Sequence, residues 1–129
     1  MSKKGGIYHP ALNHILASAG HSDWITVADV GFPAPIGPER IDLGLTDGIP
    51  TVVDVLTAIL AEFSVDRVLT AAEATSAAPE RVAELRALLG DIPLVQMDHL
   101  EIKRLAQTGR ATIKTADMTP YANIIIVSG

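Results

Sequence analysis

Two histidines of this sequence lie at opposite ends of predicted helices, which gives their imidazoles different chemistry. His21 directly follows Gly20, which we expect to end a helix because glycine enters the left-handed region freely. The negative end of a helix dipole favours a protonated imidazole, as in a proton donor. His99 begins a predicted helix, where the dipole favours neutral imidazole, which can accept a proton or bind a hydroxyl. The alternatives are a helix-capping role for His21 and an exposed first-turn position for His99.

Three further residues carry groups that bind the hydroxyls of a small ligand. Asp29 ends a predicted strand, and the nearby Gly31 would let a ligand approach its carboxylate. Tyr121 offers a hydroxyl and a flat apolar face, and Asn123 offers an amide. The alternatives are an Asx-turn at Asp29 and a proline turn in which Tyr121 covers the start of the next strand.

Several common catalytic patterns are missing from the sequence. It contains no cysteine, no HExxH spacing, no GxGxxG or Walker A loop and no GxSxG elbow. These absences argue against a metal site, a nucleotide site and the usual serine hydrolase, so we expect neither metal nor cofactor. The lysines are few and scattered, and we interpret all four as solvated: Lys3, Lys4, Lys103 and Lys114.

Composition limits the class of protein. The 129 residues are 48% hydrophobic and 19% charged, which predicts a single globular domain over residues 1–129 rather than a disordered chain. The net charge of −5 and an aromatic content of 4% argue against a nucleic-acid partner. No apolar run approaches the ~20 residues of a membrane span, and no targeting segment is evident, so we expect a cytoplasmic protein.

Helical and strand patterns alternate along the chain. We predict helices over 11–19, 51–63, 79–89 and 98–108 and strands over 24–30, 41–45, 67–72, 92–97, 111–115 and 122–127. Such alternation predicts an α/β fold, a single compact domain with a mostly parallel sheet flanked by helices. The last two strands are joined by too few residues for a crossover, so we expect them to pair antiparallel with each other. Ligands of such sheets bind beyond the carboxyl ends of the strands.

The order and spacing of several segments resemble the D-ribose pyranase family, a branch of the ribose/fucose mutarotase group. The segments are KGGI at 4–7, LNH at 12–14, GHSD at 20–23, ADVGFP at 28–33, RIDLGLT at 40–46, GIP at 48–50 and TPYANII at 119–125. They cover nearly the whole chain in the order that the family has them.

The resemblance implies a cofactor-free isomerase that interconverts the β-pyranose and β-furanose forms of D-ribose. It also implies a ring-shaped homo-oligomer, often a decamer, in which neighbouring subunits share each site. His21 matches the family's proton donor. The positions that match the family's substrate-binding residues are Asp29, His99, Tyr121, Ala122 and Asn123. Which group removes the proton from the anomeric hydroxyl stays open.

Three other functions are alternatives to this one. An L-fucose mutarotase, which interconverts anomers, belongs to the same group. A non-catalytic sugar-binding module would keep Asp29, Tyr121 and Asn123 but would not need His21. A nucleotide-binding regulatory domain would need a glycine-rich loop after a strand, whereas residues 31–38 form a proline-rich one.

Overall fold

Strands and helices alternate along residues 6–129, which are the residues that the computed structural model describes. Lys3 and Lys4, and with them the start of the segment at 4–7, lie outside this range. The helices are α1 (Pro10–Ser18), α2 (Val52–Leu60), α3 (Ala74–Ala77), α4 (Pro79–Leu89) and α5 (His99–Ala106). The strands are β1 (Trp24–Ala28), β2 (Glu39–Asp42), β3 (Val65–Ala71), β4 (Leu94–Met97), β5 (Ala111–Lys114) and β6 (Ile124–Ser128). None of the helices in this range is long and apolar enough to cross a membrane.

The six strands form one sheet in the order β2-β5-β1-β6-β3-β4. All pairs are parallel except those of β6, which runs antiparallel to β1 and β3. The mostly parallel α/β sheet is thus confirmed, but the expected pairing of the last two strands is wrong. Strand β6 is buried along its whole length, and an apolar run of this kind is stable between two strands at the sheet centre. It therefore passes β5 and inserts between β1 and β3.

Helices cover the two faces of the sheet unequally. Helices α1, α2 and α4 pack on one face, where the larger core includes Leu56, Ile113 and Ile124. Each such fully buried side chain stabilises the fold by about 1.5–3 kcal/mol. On the other face, α5 places Ile102 against Leu69 and neighbouring apolar residues of the sheet.

Local signals in the sequence set most helix ends. The side chain of Thr51 accepts a hydrogen bond from Asp54 N while the Asp54 carboxylate accepts one from Thr51 N, so the predicted capping box is formed. The end of α1 differs from the prediction. The helix ends at Ser18, and Gly20 does not adopt positive φ; its N–H donates to the Asp23 carboxylate at 2.7 Å. Ser22 takes the left-handed conformation instead, with φ 70°.

Candidate functional site

A cleft of about 320 Å³ opens at the carboxyl ends of β1 and β4, where β6 begins. Its walls come from the loop after β1, the first turns of α5 and the segment before β6. The lining residues are Asp29, Gly31, Phe32, Pro33, His99, Lys103, Pro120, Tyr121 and Asn123. The fold therefore brings together four residues that the sequence singled out from three distant segments.

A hydrogen bond joins Asp29 and Asn123, which both line the cleft. The side-chain Oδ1 of Asn123 accepts a hydrogen bond from Asp29 N at 2.7 Å, while its Nδ2 group donates none within residues 6–129. The Asp29 Oδ1 accepts from Gly31 N at 3.0 Å, so the Asx-turn considered for this residue is present as well. Asp29 thus has both a structural bond and a position in the cleft, and the buried Asn123 amide has free donors.

His99 and Tyr121 also line the cleft and contact each other. Their rings meet edge to face, with centroids 5.1 Å apart. The backbone N–H of His99 donates to both carboxylate oxygens of Glu73, at 3.1 and 3.2 Å. The His99 Nδ1 atom is buried and has no hydrogen-bond partner among the described residues, so no bond of theirs fixes its tautomer.

Tyr121 has a strained backbone. Its φ of 55° lies in the left-handed region, which costs a side-chain-bearing residue about 1–3 kcal/mol. Strain of this size persists where surrounding contacts hold the segment in place. Ala122, between Tyr121 and Asn123, is buried in the larger core, and this burial anchors the segment.

An ion pair that the sequence analysis did not single out holds this segment from the side. Arg81 on α4 donates to the Asp117 carboxylate at 2.5 and 3.4 Å and to Thr119 Oγ1 at 3.1 Å. Asp117, only 1% exposed, also accepts from Val52 N and Thr119 N, each at 2.9 Å. Burial raises the pKa of this carboxyl, but the bonds from Arg81, Thr119 and Val52 outweigh it and leave the pKa below its usual 3.8. No local pattern links residues 36 positions apart, so the pair had no signal in the sequence.

The expectation of solvated lysines is wrong for Lys114, and Lys103 lies at the cleft. Lys103 follows His99 by one turn of α5 and lines the cleft. Lys114, the last residue of β5, donates to the carbonyl oxygens of Asp29 and Val30, each at 3.2 Å, and of Phe32. Burial lowers the pKa of Lys114 below its usual 10.5, against the attraction of the Asp29 carboxylate.

His21 lies away from these residues, at the amino-terminal end of β1. It belongs to an exposed turn, residues 20–23, in which Ser22 N donates to Ser128 O at 3.0 Å. The five residues of β1 separate this His21 turn from Asp29 by roughly 16 Å at about 3.3 Å per residue. His21 also follows the end of α1 by three residues, beyond the range where the helix dipole acts strongly. The fold does not bring His21 to the cleft of its own chain.

The sheet and its cleft together define a small α/β protein with a polar cleft beyond the carboxyl ends of its strands, the place where such folds bind ligands. The chain belongs to the RbsD / FucU transport protein family, whose model matches residues 2–129. The family resemblance found in the sequence is thereby confirmed.

Relatives of known name are similar over almost the whole chain. A D-ribose pyranase from Coprothermobacter proteolyticus is 42% identical over 127 residues, which are 98% of this chain and 97% of that protein. A D-ribose pyranase from Latilactobacillus sakei is 35% identical over the same shares. The structure of Bacillus subtilis RbsD complexed with D-ribose superposes with a TM-score of 0.94 at 38% identity and covers 99% of this chain and 98% of that one.

A more distant structure has the same fold. The fucose mutarotase of Streptococcus pneumoniae, solved in complex with L-fucose, has a TM-score of 0.79 and 21% identity and covers 94% of this chain and 92% of that one. At this identity the similarity shows the fold alone.

Proposed function

We propose that this protein is a D-ribose pyranase, an isomerase that interconverts the β-pyranose and β-furanose forms of D-ribose. The observation that carries the proposal is the cleft that gathers Asp29, His99, Tyr121 and Asn123. Its carboxylate, imidazole, phenol and amide groups are suited to several hydroxyls of one small sugar. The similarity to D-ribose pyranases and to RbsD solved with D-ribose supports the same substrate.

The reaction needs proton transfer and no change of oxidation state. A proton reaches the pyranose ring oxygen as its bond to C1 breaks, and the anomeric hydroxyl loses one to give the open-chain aldehyde. The C4 hydroxyl then adds to C1 and closes the furanose ring. Asp29, Asn123 and the side chains of His99 and Tyr121 would hold the sugar hydroxyls during these steps. A separate group supplies the proton.

We propose that this group is His21 of a neighbouring subunit. Its exposed turn lies at the end of the sheet opposite to the cleft, where it is accessible to a second copy. Exposed apolar side chains next to cleft residues offer that copy a surface, among them Val30 at 55% and Met118 at 61% exposure. Contacts that join one end of a subunit to the opposite end of the next are heterologous, and such contacts form a ring when the rotation between subunits closes. This arrangement supports a ring-shaped homo-oligomer, and we propose a decamer.

We also propose that residues 1–129 form one domain and that the protein is cytoplasmic. One sheet connects the strands throughout residues 6–129, which supports the single domain. A chain with no cysteine has no need of an oxidising compartment.

The direct test of function is NMR saturation transfer between the pyranose and furanose signals of D-ribose, with and without catalytic amounts of protein. We expect faster exchange between ring forms in its presence. No acceleration with D-ribose, but faster anomer exchange in L-fucose, would make the protein a mutarotase of the sister branch. No effect on either sugar would favour a sugar-binding module.

Sharing of each site between subunits is tested by mixing two inactive variants. In His21→Gln the cleft is intact, and in Asp29→Asn the His21 turn is intact. When the two chains are co-expressed, random assembly gives about one quarter of sites with both intact halves, so about a quarter of wild-type activity should return. Light scattering should show a multiple of 13.6 kDa.

The control for this mixture is His21→Gln co-expressed with the double variant, in which neither chain can supply an intact His21 turn. It should stay inactive. Mixed oligomers that form but recover no activity would contradict the shared site, and a species of 13.6 kDa alone would contradict the ring.

A further inference from the structure

The loop that carries Asp29 is built around the ammonium group of Lys114. Residues 29–32, here called the Asp29 turn, direct three carbonyl oxygens at the Nζ atom, those of Asp29, Val30 and Phe32. Carbonyl dipoles that converge on one point repel one another unless a cation lies between them. Lys114 supplies that cation from the end of β5, a strand held on both sides by β1 and β2.

The carboxylates of Asp29 and Asp42 attract the Lys114 ammonium group, but neither accepts a hydrogen bond from it. Asp42 is its register partner on β2, but the Asp42 carboxylate accepts from Arg40 Nε at 2.9 Å. The Asp29 carboxylate accepts from Gly31 N inside the turn. Within residues 6–129, the hydrogen bonds of Lys114 go to backbone carbonyls alone, so its contact is with the conformation of the turn rather than with one acid.

The Asp29 turn forms one side of the cleft. It sets the direction of the Asp29 carboxylate, and it leads into Phe32 and Pro33, which line the same cleft. Its other ties are Asp29 N to Asn123 Oδ1 at 2.7 Å and Val30 N to Asp117 O at 2.9 Å. Those two bonds involve the N–H groups of Asp29 and Val30. Lys114 instead binds the carbonyl oxygens of the turn, including that of its last residue, Phe32.

We propose that Lys114 is a positioning residue whose ammonium group fixes the Asp29 turn and so presents the Asp29 carboxylate to the sugar. This inference rests on the proposed function. Lys114 itself lies outside the set of residues that line the cleft, and it acts on ribose through the turn. Without its three bonds the turn has more conformations, and binding of ribose has to select one of them.

The test compares Lys114→Met with Lys114→Arg and with the control Arg86→Met. The Arg86 variant removes an exposed cation from α4, and the Arg86 side chain forms no hydrogen bond or ion pair with the described residues. In Lys114→Met we expect the KM for D-ribose to rise about tenfold while kcat changes by less than about threefold. Lys114→Arg keeps a cation with N–H donors and should restore most of the affinity.

A second measurement needs no ribose. Gly31 N and Phe32 N donate within the Asp29 turn, to Asp29 Oδ1 and Asp29 O. Their amide hydrogen exchange should be about tenfold faster in Lys114→Met and unchanged in Arg86→Met. Circular dichroism establishes that each variant is folded. If Lys114→Met does not fold, Lys114→Gln, which keeps N–H donors without charge, takes its place with smaller shifts in the same direction.

Wild-type KM and amide exchange in Lys114→Met would overturn the inference, and so would equal changes in Lys114→Met and Arg86→Met. A loss of kcat at unchanged KM would also overturn it, since that would place Lys114 in the chemistry. Failure of the proposed function gives a different result from failure of this inference. In that case the wild-type protein does not accelerate ribose exchange, while the amide measurement still reports on Lys114.

Discussion

Replacement of His21 by glutamine is expected to slow exchange between the ring forms of D-ribose by about 10²–10⁴-fold, the usual contribution of one general acid or base. Glutamine keeps hydrogen-bonding groups of similar size but cannot deliver a proton near neutral pH. Because His21 lies in an exposed turn outside the core, the variant should fold and assemble as the wild type does. The measurement is saturation transfer at several ribose concentrations, and the loss should fall on kcat.

The matched control is His14→Gln. His14 is exposed on α1 and does not line the cleft, so its replacement should leave the exchange rate unchanged. A His21→Gln protein that is folded, assembled and as active as the wild type would remove His21 from the mechanism. His99, the histidine that lines the cleft, would then be the candidate proton donor.

Replacement of Asp117 by asparagine is expected to lower the free energy of unfolding by about 3–5 kcal/mol, the usual cost of removing one partner of a buried ion pair. The change leaves the Arg81 guanidinium, whose side chain is 11% exposed, without its counter-charge. It also weakens the bonds that join α2 to the segment before β6. Denaturant unfolding at one fixed protein concentration measures the loss, since assembly adds to apparent stability.

The same pair predicts how stability depends on acid. The pKa of Asp117 in the folded protein lies below its usual 3.8, so the ion pair stabilises the fold fully above that pH. The contribution is lost as pH falls below 3.8 through the lowered pKa. In Asp117→Asn this part of the acid-induced loss should be absent.

The control for both measurements is Asp42→Asn, which breaks the exposed pair with Arg40. The Asp42 side chain is 64% exposed, and such pairs contribute about 0–1 kcal/mol. Equal destabilisation by the two substitutions would contradict a special role of Asp117. So would an Asp117→Asn protein whose stability falls in acid as steeply as that of the wild type.

Local patterns predicted most elements of this fold. The capping pair Thr51 and Asp54 marked the start of α2, and Pro79 and Gly90 marked the two ends of α4. The position of β6 was not predictable in the same way. Which strands enclose a buried strand depends on contacts between residues far apart in sequence, and a short connection from β5 suggested the wrong neighbour. Helix α3 has four residues, too few for a periodic pattern.

In the candidate site, too, local patterns predicted some residues, and the roles of others depend on contacts between distant segments. Asp29 directly follows β1 and His99 comes two residues after β4, so the rule for parallel sheets placed them at the cleft. The roles of Lys114 and Asp117 depend on partners in other segments, such as Phe32 and Arg81. From the sequence, Lys114 was interpreted as solvated and Asp117 was not singled out. Sequence spacing contains no information about which carbonyl groups the fold places around Lys114 or which guanidinium it places beside Asp117.

Strand β6 connects the two ends of the sheet, since it starts directly after Asn123 and ends with Ser128 at the His21 turn. In the proposed ring, each subunit contributes its cleft to one site and its His21 to a neighbouring site. A subunit in which this strand unfolds therefore inactivates both sites. Damage to half of the subunits at random would then leave only about one quarter of the sites with two intact halves. During heat inactivation the activity of such a ring falls with the square of the intact fraction, ahead of the loss of folded protein.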